Sequence, residues 1–128
     1  MNIIDSSAWL EYFSDGPNAD SFSIPIKDEN ALIVPVITVY EVFKVVLRES
    51  TENDALQAIA AMQKGRIIEL TQSLAVEASR LSLHHSLPMA DSIILATAKK
   101  HDCTIWTQDA DFKDIQGVNY FDKKTSIA

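Results

Sequence analysis

Basic residues and cysteine are both scarce in this chain of 128 residues. It has 11 Lys and Arg against 18 Asp and Glu, a formal net charge of −7 at pH 7, and a single cysteine, Cys103. One cysteine excludes a disulfide framework and a thiolate zinc site within one chain. An electronegative surface is a poor general binder of nucleic acid, because that affinity comes mainly from Lys and Arg that neutralise phosphates. The argument holds only if the acids are spread evenly over the surface.

Glycine, proline and long apolar runs are also scarce. Three Gly and four Pro among 47% hydrophobic residues disfavour disorder. The glycines are isolated at Gly16, Gly65 and Gly117, so a Gly-rich phosphate loop is absent. No apolar run is long enough to cross a bilayer, and residues 1–5 lack the basic start of a signal peptide. We therefore expect a cytoplasmic protein without a membrane partner, folded as a single domain over residues 1–128.

Short apolar runs alternate with amphipathic stretches along the chain. Strands are predicted at residues 2–4, 31–34, 67–70, 104–107 and, as a fifth, 118–121. Helices are predicted at residues 8–13 with Ser6 or Ser7 as the cap, from about 36 or 38 to 48, at 52–64, at 74–84 and from 88 onward. This alternation implies a parallel sheet, because parallel strands need a crossover and the crossover is usually a helix. We predict an α/β fold in three layers, α/β/α, around a central parallel sheet of four to five strands.

Several acids fall where the strands of this sheet are predicted to end. Asp5 directly follows the first strand, and Asp109 and Asp111 follow the fourth. Asp91 comes three residues after Pro88, in the first turn of a predicted helix. Ligands of parallel sheets collect beyond the carboxyl ends of the strands, which gives acids at that edge more weight than others. Each acid alone also has a structural explanation, as a helix cap, a partner of the helix dipole or a turn former.

Glu41 lies on a narrow polar strip of an otherwise apolar helix. Lys44 and Arg48 share the strip, three and seven residues further on. A carboxylate on such a helix is partly buried and needs a partner. Lys44 is one candidate, through an i,i+3 pair of about 0.2–0.5 kcal/mol, and a metal ion is the other.

Three or four carboxylates that meet in one place repel one another unless a cation lies among them. Oxygen ligands without His or Cys suit Mg²⁺, with Mn²⁺ as a substitute, rather than zinc. Such an ion promotes attack of water on a phosphodiester without a side-chain nucleophile. This chemistry fits a chain that shows neither a Ser or Cys linked to His nor a P-loop.

Four short motifs together resemble the PIN-domain family, in particular the VapC-type toxin ribonucleases of toxin–antitoxin pairs. They are IIDSS at residues 3–7, TVYEV at 38–42, ADSIILATA at 90–98 and TQDADF at 107–112. Each motif is weak, but their order, spacing and predicted placement are specific, and the resemblance spans essentially the whole chain. It implies a Rossmann-like PIN fold, magnesium-dependent endoribonuclease activity on RNA, a homodimer and inhibition by a small antitoxin.

The resemblance also implies roles for individual residues. The residues expected to bind metal and carry catalysis are Asp5, Glu41, Asp91 and Asp109. Supporting roles are implied for Asp111, Thr107 and Ser6. Candidates for contacts with the RNA backbone are Lys44, Arg48 and Lys113. Residues 22–30 and the tail after residue 122 match nothing specific, so they predict nothing about substrate choice or partner contacts.

Other functions compete with this interpretation. An aspartyl-phosphate hydrolase needs a second Asp two residues after the first, where Ser7 stands, and a phospho-acceptor receiver needs an Asp and a Lys at strand ends that lack them. A non-catalytic PIN-like module that binds RNA or protein, and a stand-alone PIN nuclease without an antitoxin, stay open. The presence of every expected acid favours the nuclease. If several acids gather in one cleft that holds metal ions, the net charge no longer describes an evenly negative surface. The remaining negative charge then suits selective RNA binding, and it suits an antitoxin with a basic segment.

Overall fold

A parallel sheet of five short strands organises residues 1–125, the part of the chain that this computed structural model describes. The strands are β1 (Asn2–Ile4), β2 (Leu32–Pro35), β3 (Arg66–Ile68), β4 (Thr104–Thr107) and β5 (Val118–Tyr120). Their order in the sheet is β3-β2-β1-β4-β5, and all neighbouring pairs are parallel. The predicted parallel sheet of four to five strands is confirmed, with β1 at its centre.

Helices cover both faces of this sheet. They are α1 (Ser6–Phe13), α2 (Ala19–Lys27), α3 (Val36–Glu49), α4 (Glu52–Met62), α5 (Gln72–His85) and α6 (Met89–His101). Side chains alternate along β1, so that Ile3 packs in a core with residues of α5 and α6 while Ile4 packs in a second core with residues of α1 to α4. Because a strand buried on both faces supplies two cores, the three predicted layers follow directly.

Two local predictions are wrong. The cap of α1 is neither Ser6 nor Ser7 but Asp5, whose Oδ1 accepts the N–H of Ala8 at 2.9 Å. The helix α2 was not predicted at all, because Pro25 lies inside it and proline disfavours a helix interior. Tertiary packing overrides that local preference, since Phe22 and Ile26 of α2 are buried in the second core.

The helix α6 passes through the middle of the first core. Its residues from Ser92 to Ala98 are all buried, between the sheet and α5. Since α6 leads into β4, it begins at the carboxyl edge of the sheet and ends at the amino edge. The packing therefore fixes the first turn of α6, which carries Asp91, at the edge where the strands end. None of the helices within residues 1–125 is both long and apolar enough to span a bilayer.

Candidate metal centre

The carboxyl edge of the sheet gathers all five acids that the sequence singles out. Asp5 directly follows β1 and Asp109 comes two positions after the neighbouring strand β4, and the helices α3 and α6 contact each other beside them. The pKa of Asp91 is raised to about 8, first by burial and then by negative charges. Those charges belong, in decreasing order, to Asp109, Asp5, Glu41 and Asp111. Asp91 is thus the residue that feels every other acid of the group.

Three of the five acids form a tight cluster. Asp91, Asp109 and Asp111 each offer a carboxylate oxygen, and these oxygens lie within 4.8 Å of one another. Asp109 begins a short 3-10 turn (Ala110–Phe112), in which its Oδ1 accepts the N–H of Asp111 at 2.9 Å. Asp111, expected only in a supporting role, therefore lies inside the tight cluster, whereas Asp5 and Glu41 lie outside it.

Asp5 is buried and fully engaged by hydrogen bonds. Its Oδ1 accepts from the Ser7 hydroxyl at 2.7 Å and from the Ala8 N–H at 2.9 Å, and its Oδ2 accepts from the Thr107 hydroxyl at 2.6 Å. Burial raises the pKa of Asp5 to about 6, although these three bonds favour the ionised form and lower it. The carboxylate is consequently held in one orientation by groups of α1 and β4.

Glu41 is partly buried and is bound by a hydroxyl rather than by a cation. The Ser6 hydroxyl donates to its Oε1 at 2.5 Å. The ammonium group of Lys44 instead lies 5.7 Å from the centre of the Tyr40 ring, and no ion pair joins Lys44 to Glu41 within the described residues. The partner that a purely structural explanation of Glu41 requires is therefore not Lys44.

The three candidate RNA contacts are exposed, and each has another partner, which for Lys44 is the Tyr40 ring. The Arg48 guanidinium pairs with Glu49 at 3.0 Å, and Lys113 lies 5.9 Å from the centre of the Tyr120 ring. Lys113 directly follows the turn that carries Asp111, which leaves it close along the chain to the acid cluster. Their contact with RNA stays a prediction.

Polar residues behind the acids were missed by the sequence analysis. The Ser7 hydroxyl, besides donating to Asp5, accepts the N–H of Gln108 at 3.2 Å. The Asn18 amide donates to the Gln108 side chain at 3.0 Å and to the Asp122 carbonyl at 2.9 Å. Ser7 could have been identified from the sequence, because it lies only two positions after Asp5. Nothing in the sequence links Asn18 to Gln108, because 90 residues separate them.

The donor set fits a hard divalent cation. All five side chains offer carboxylate oxygens, the ligands that Mg²⁺ and Mn²⁺ prefer. Within residues 1–125, no Lys, Arg or His lies at ion-pair distance from any of the five. Repulsion among these acids, visible in the raised pKa of Asp91, is therefore not offset by a protein cation, and a divalent ion bound among them would offset it.

Several solved structures share this fold. Among solved structures, the chain is similar to a toxin–antitoxin complex from Klebsiella pneumoniae, with 24% identity, a TM-score of 0.79 and coverage of 93% of this chain and 96% of that chain. It is also similar to VapC20 of Mycobacterium tuberculosis, described as a sarcin–ricin loop cleaving toxin, with 14% identity, a TM-score of 0.77 and coverage of 91% and 95%.

A third similar structure is FitAcB from Neisseria gonorrhoeae, with 25% identity, a TM-score of 0.62 and coverage of 95% of this chain and 97% of that chain. Comparison with curated protein sequences finds no significant match. The PIN domain family matches residues 3–118, a span that contains all five acids. The chain therefore belongs to the PIN domain family.

Proposed function

We propose that this chain is a magnesium-dependent endoribonuclease and the toxin of a toxin–antitoxin pair. The observation that carries the proposal is the convergence of five carboxylates around Asp91, with no protein cation at ion-pair distance in the described residues. Membership of the PIN family supports nuclease activity in general. Similarity to two structures, one described as a sarcin–ricin loop cleaving toxin and the other as a toxin–antitoxin complex, supports the finer assignment.

In this proposal Asp5, Glu41, Asp91 and Asp109 bind the metal and carry catalysis, and Asp111 supports them from within the tight cluster. A bound Mg²⁺ or Mn²⁺ supplies polarisation of the phosphoryl group and a lowered pKa of water. The reaction adds water across a phosphorus–O3′ bond and leaves a 5′-phosphate and a 3′-hydroxyl.

The neighbouring hydroxyl groups orient the acids in this proposal. Thr107 and Ser7 hold Asp5, and Ser6 holds Glu41, so two of the acids are positioned before any ligand arrives. Lys44, Arg48 and Lys113 contact the phosphates that flank the cleaved bond.

An antitoxin would find a suitable docking groove away from the acids. The groove, of about 790 Å³, lies between α1 and the pair α3 and α4. Phe13 and Val46 contribute apolar lining, and Glu49 and Asp54 contribute carboxylates. This combination suits a basic amphipathic segment, as expected for an antitoxin that neutralises an acidic toxin. Substitution Val46→Glu should abolish neutralisation by the antitoxin and leave RNA cleavage unchanged.

A second copy of the chain would cover an exposed apolar face on α5 and α6. Leu83 and Met89 are 87% and 71% exposed, and both line a largely apolar depression of about 520 Å³. Burying such side chains favours association. We propose a homodimer through this face, which Leu83→Glu should convert to a monomer in size-exclusion chromatography. We also propose that residues 1–128 act as a single PIN domain in each copy. The dimer would act in the cytoplasm, where an RNA substrate is available.

Cleavage of RNA under control of the metal tests the proposal. The protein, freed of its antitoxin, should cut RNA with Mg²⁺ or Mn²⁺ and stop when EDTA is added. Activity that survives in EDTA and in both Asp5→Asn and Asp91→Asn would contradict the metal assignment and point to a contaminating nuclease. Saturable RNA binding without cleavage would favour the non-catalytic module. Absence of a neighbouring gene for a small DNA-binding protein would favour a stand-alone nuclease.

A further inference from the structure

A groove between α5 and α6 concentrates positive charge in a chain that carries little of it. The groove has a volume of about 900 Å³. Arg80 of α5 and the adjacent Lys99 and Lys100, in the last turn of α6, line it. Three of the 11 basic residues of the chain thus share one groove.

This basic groove lies at the opposite end of α6 from the acids. Asp91 is in the first turn of α6, at the carboxyl edge of the sheet, and Lys99 is in the last turn, at the amino edge. At the rise of an α-helix, a separation of eight positions spans about 12 Å along the axis. The helix α6 therefore separates a negative end from a positive end.

The positive charge of the groove is only partly neutralised. Within residues 1–125, neither Lys99 nor Lys100 has a carboxylate at ion-pair distance. Glu77 also lines the groove and pairs with Arg80 at 3.1 Å, so three cations and one carboxylate leave a formal local charge of +2. Arg80 is largely exposed and Glu77 is partly exposed, and pairs in contact with solvent bind each other weakly, which leaves Arg80 available to a stronger anion.

A helix terminus adds to the same positive potential. Gln72 and Ser73, the first two residues of α5, line the groove, and N–H groups of a first turn have no acceptor within their helix. The positive end of the α5 dipole therefore points to the side where Lys99 and Lys100 lie.

From this arrangement we propose that the groove binds the phosphodiester backbone of single-stranded RNA and anchors the substrate at a distance from the acids. The inference rests on the proposed function for its choice of ligand. Flexible ammonium groups, a guanidinium and first-turn N–H groups together match phosphate oxygens. A span of about 12 Å corresponds to roughly three to four stacked nucleotides at 3.4 Å each.

The need for such an anchor follows from the charge of the rest of the molecule. A chain of net charge −7, with five acids at its candidate cleavage site, repels RNA there until a cation is bound. A cationic groove on the other end of α6 offsets this repulsion and keeps the strand near the acids. Cleavage of long RNA would then depend on the groove, and cleavage of a dinucleotide would not.

Binding of a labelled single-stranded RNA of 12 nucleotides, followed by fluorescence anisotropy in EDTA, tests the inference without any cleavage. The variant is Lys99→Gln with Lys100→Gln, and the matched control is Lys123→Gln with Lys124→Gln, a second pair of adjacent exposed lysines that changes the net charge equally. We expect the first variant to bind about tenfold more weakly and the control to bind like the wild type. The slope of log affinity against log salt should fall by about 1.4 in the first variant, for two lost phosphate contacts on a single strand.

Three results would overturn the inference. One is equal weakening in both double variants, which would assign the effect to net charge alone. Another is displacement of the RNA by an acidic peptide or by adenosine monophosphate at equal charge concentration, which would assign the groove to a different ligand. The third is unchanged RNA binding in Lys99→Gln with Lys100→Gln. If Lys99→Gln with Lys100→Gln binds RNA more weakly while the wild type never cuts RNA, the proposal that the groove binds RNA is supported and the proposed function is wrong. If the wild type cuts RNA and the variant binds normally, the groove alone is wrong.

Discussion

Asp5 and Asp91 lie at the same edge of the sheet but in opposite electrostatic situations. Asp5 is the more buried of the two, and its carboxylate accepts three short hydrogen bonds. Asp91 is less buried, yet its pKa rises further, to about 8 against about 6, because the charges of four other acids add to the effect of burial, whereas hydrogen bonds partly offset burial at Asp5. The fold therefore offsets the charge of Asp5 with hydrogen-bond donors. Among the described residues, it offers no cation at ion-pair distance to offset the charge of Asp91.

This difference separates two parts of the candidate site: the hydrogen bonds that hold Asp5 in position, and the cluster of acids that is proposed to bind the metal. The ring of donors around Asp5, which includes Ser7 and Thr107, is complete in the folded chain. The cluster of Asp91, Asp109 and Asp111 is incomplete by the same criterion, since it has negative charge and no cation among the described residues. A divalent cation bound among these acids would complete the cluster.

The largest effect is expected from Asp91→Asn. Removing the central carboxylate removes a metal ligand, so RNA cleavage with Mg²⁺ should fall on the order of 10³-fold while the protein stays folded. The matched control is Asp28→Asn, which removes one exposed carboxylate at the end of α2 and should leave cleavage unchanged. Initial rates on one RNA, with circular dichroism of each variant, give the comparison. Equal loss in the two variants would tie the effect to net charge rather than to the cluster.

A smaller effect is expected from Thr107→Val, which leaves every acid in place. The Thr107 hydroxyl donates to Asp5 and accepts the N–H of Asp109 at 2.9 Å, so it joins the two acids. Losing an orienting partner of a metal ligand typically costs 10- to 100-fold, and we expect a loss of about that size in cleavage or in Mn²⁺ affinity. Thr104→Val, at the exposed start of the same strand, is the control. A variant at Thr107 with wild-type affinity and rate would show that Asp5 needs no such support.

Stability should change in opposite directions when the two acids are removed. Asp5→Ala deletes the cap of α1 and leaves buried hydroxyls without their acceptor, which lowers the free energy of unfolding by about 1–3 kcal/mol. Asp91→Ala relieves repulsion and should raise the melting temperature at pH 8 in EDTA. Thermal unfolding of both variants beside the wild type measures this. Destabilisation by both substitutions would mean that Asp91 is compensated within the fold after all.

The free energy of unfolding should depend on pH in a direction that the two raised pKa values set. The folded-state pKa values of Asp5 and Asp91, about 6 and about 8, lie above their ordinary value of 3.8. The folded chain thus binds protons more tightly than the unfolded chain, so in EDTA the free energy of unfolding should decrease as pH rises from about 4 to about 8. Mn²⁺ should restore stability at the upper end, and Asp91→Asn should flatten the curve. A curve that rises with pH over this range would refute the assignment.

The sequence was sufficient to predict the sheet and the strand-end acids, because both depend on strong local signals. Alternating apolar runs and helices define the parallel sheet, and Asp5 and Asp109 directly follow strands that proved to be neighbours. The helix α2 could not be predicted from the sequence, because its Pro25 disfavours a helix locally and only burial of Phe22 and Ile26 stabilises it. Such packing becomes apparent only when the chain is folded.

Within the candidate site, residue types were easier to predict than geometry. The sequence analysis assigned Asp111 a supporting role, whereas its carboxylate lies in the tight cluster, because the 3-10 turn after Asp109 brings it back. Of the two candidate partners that the sequence leaves open for Glu41, Lys44 and a metal ion, Lys44 is not the partner, because Glu41 accepts a hydrogen bond from the Ser6 hydroxyl, 35 positions away in the sequence. Contacts over such separations depend on how α1 packs against α3.

The central claim, that the acids around Asp91 form a binding site for a divalent cation, is tested most directly by titration calorimetry with Mn²⁺ at pH 7.5. Wild-type protein and Asp28→Asn should both show saturable binding, and Asp91→Asn should lose it. Identical heats in all three proteins, or no saturable binding in the wild type, would contradict the claim.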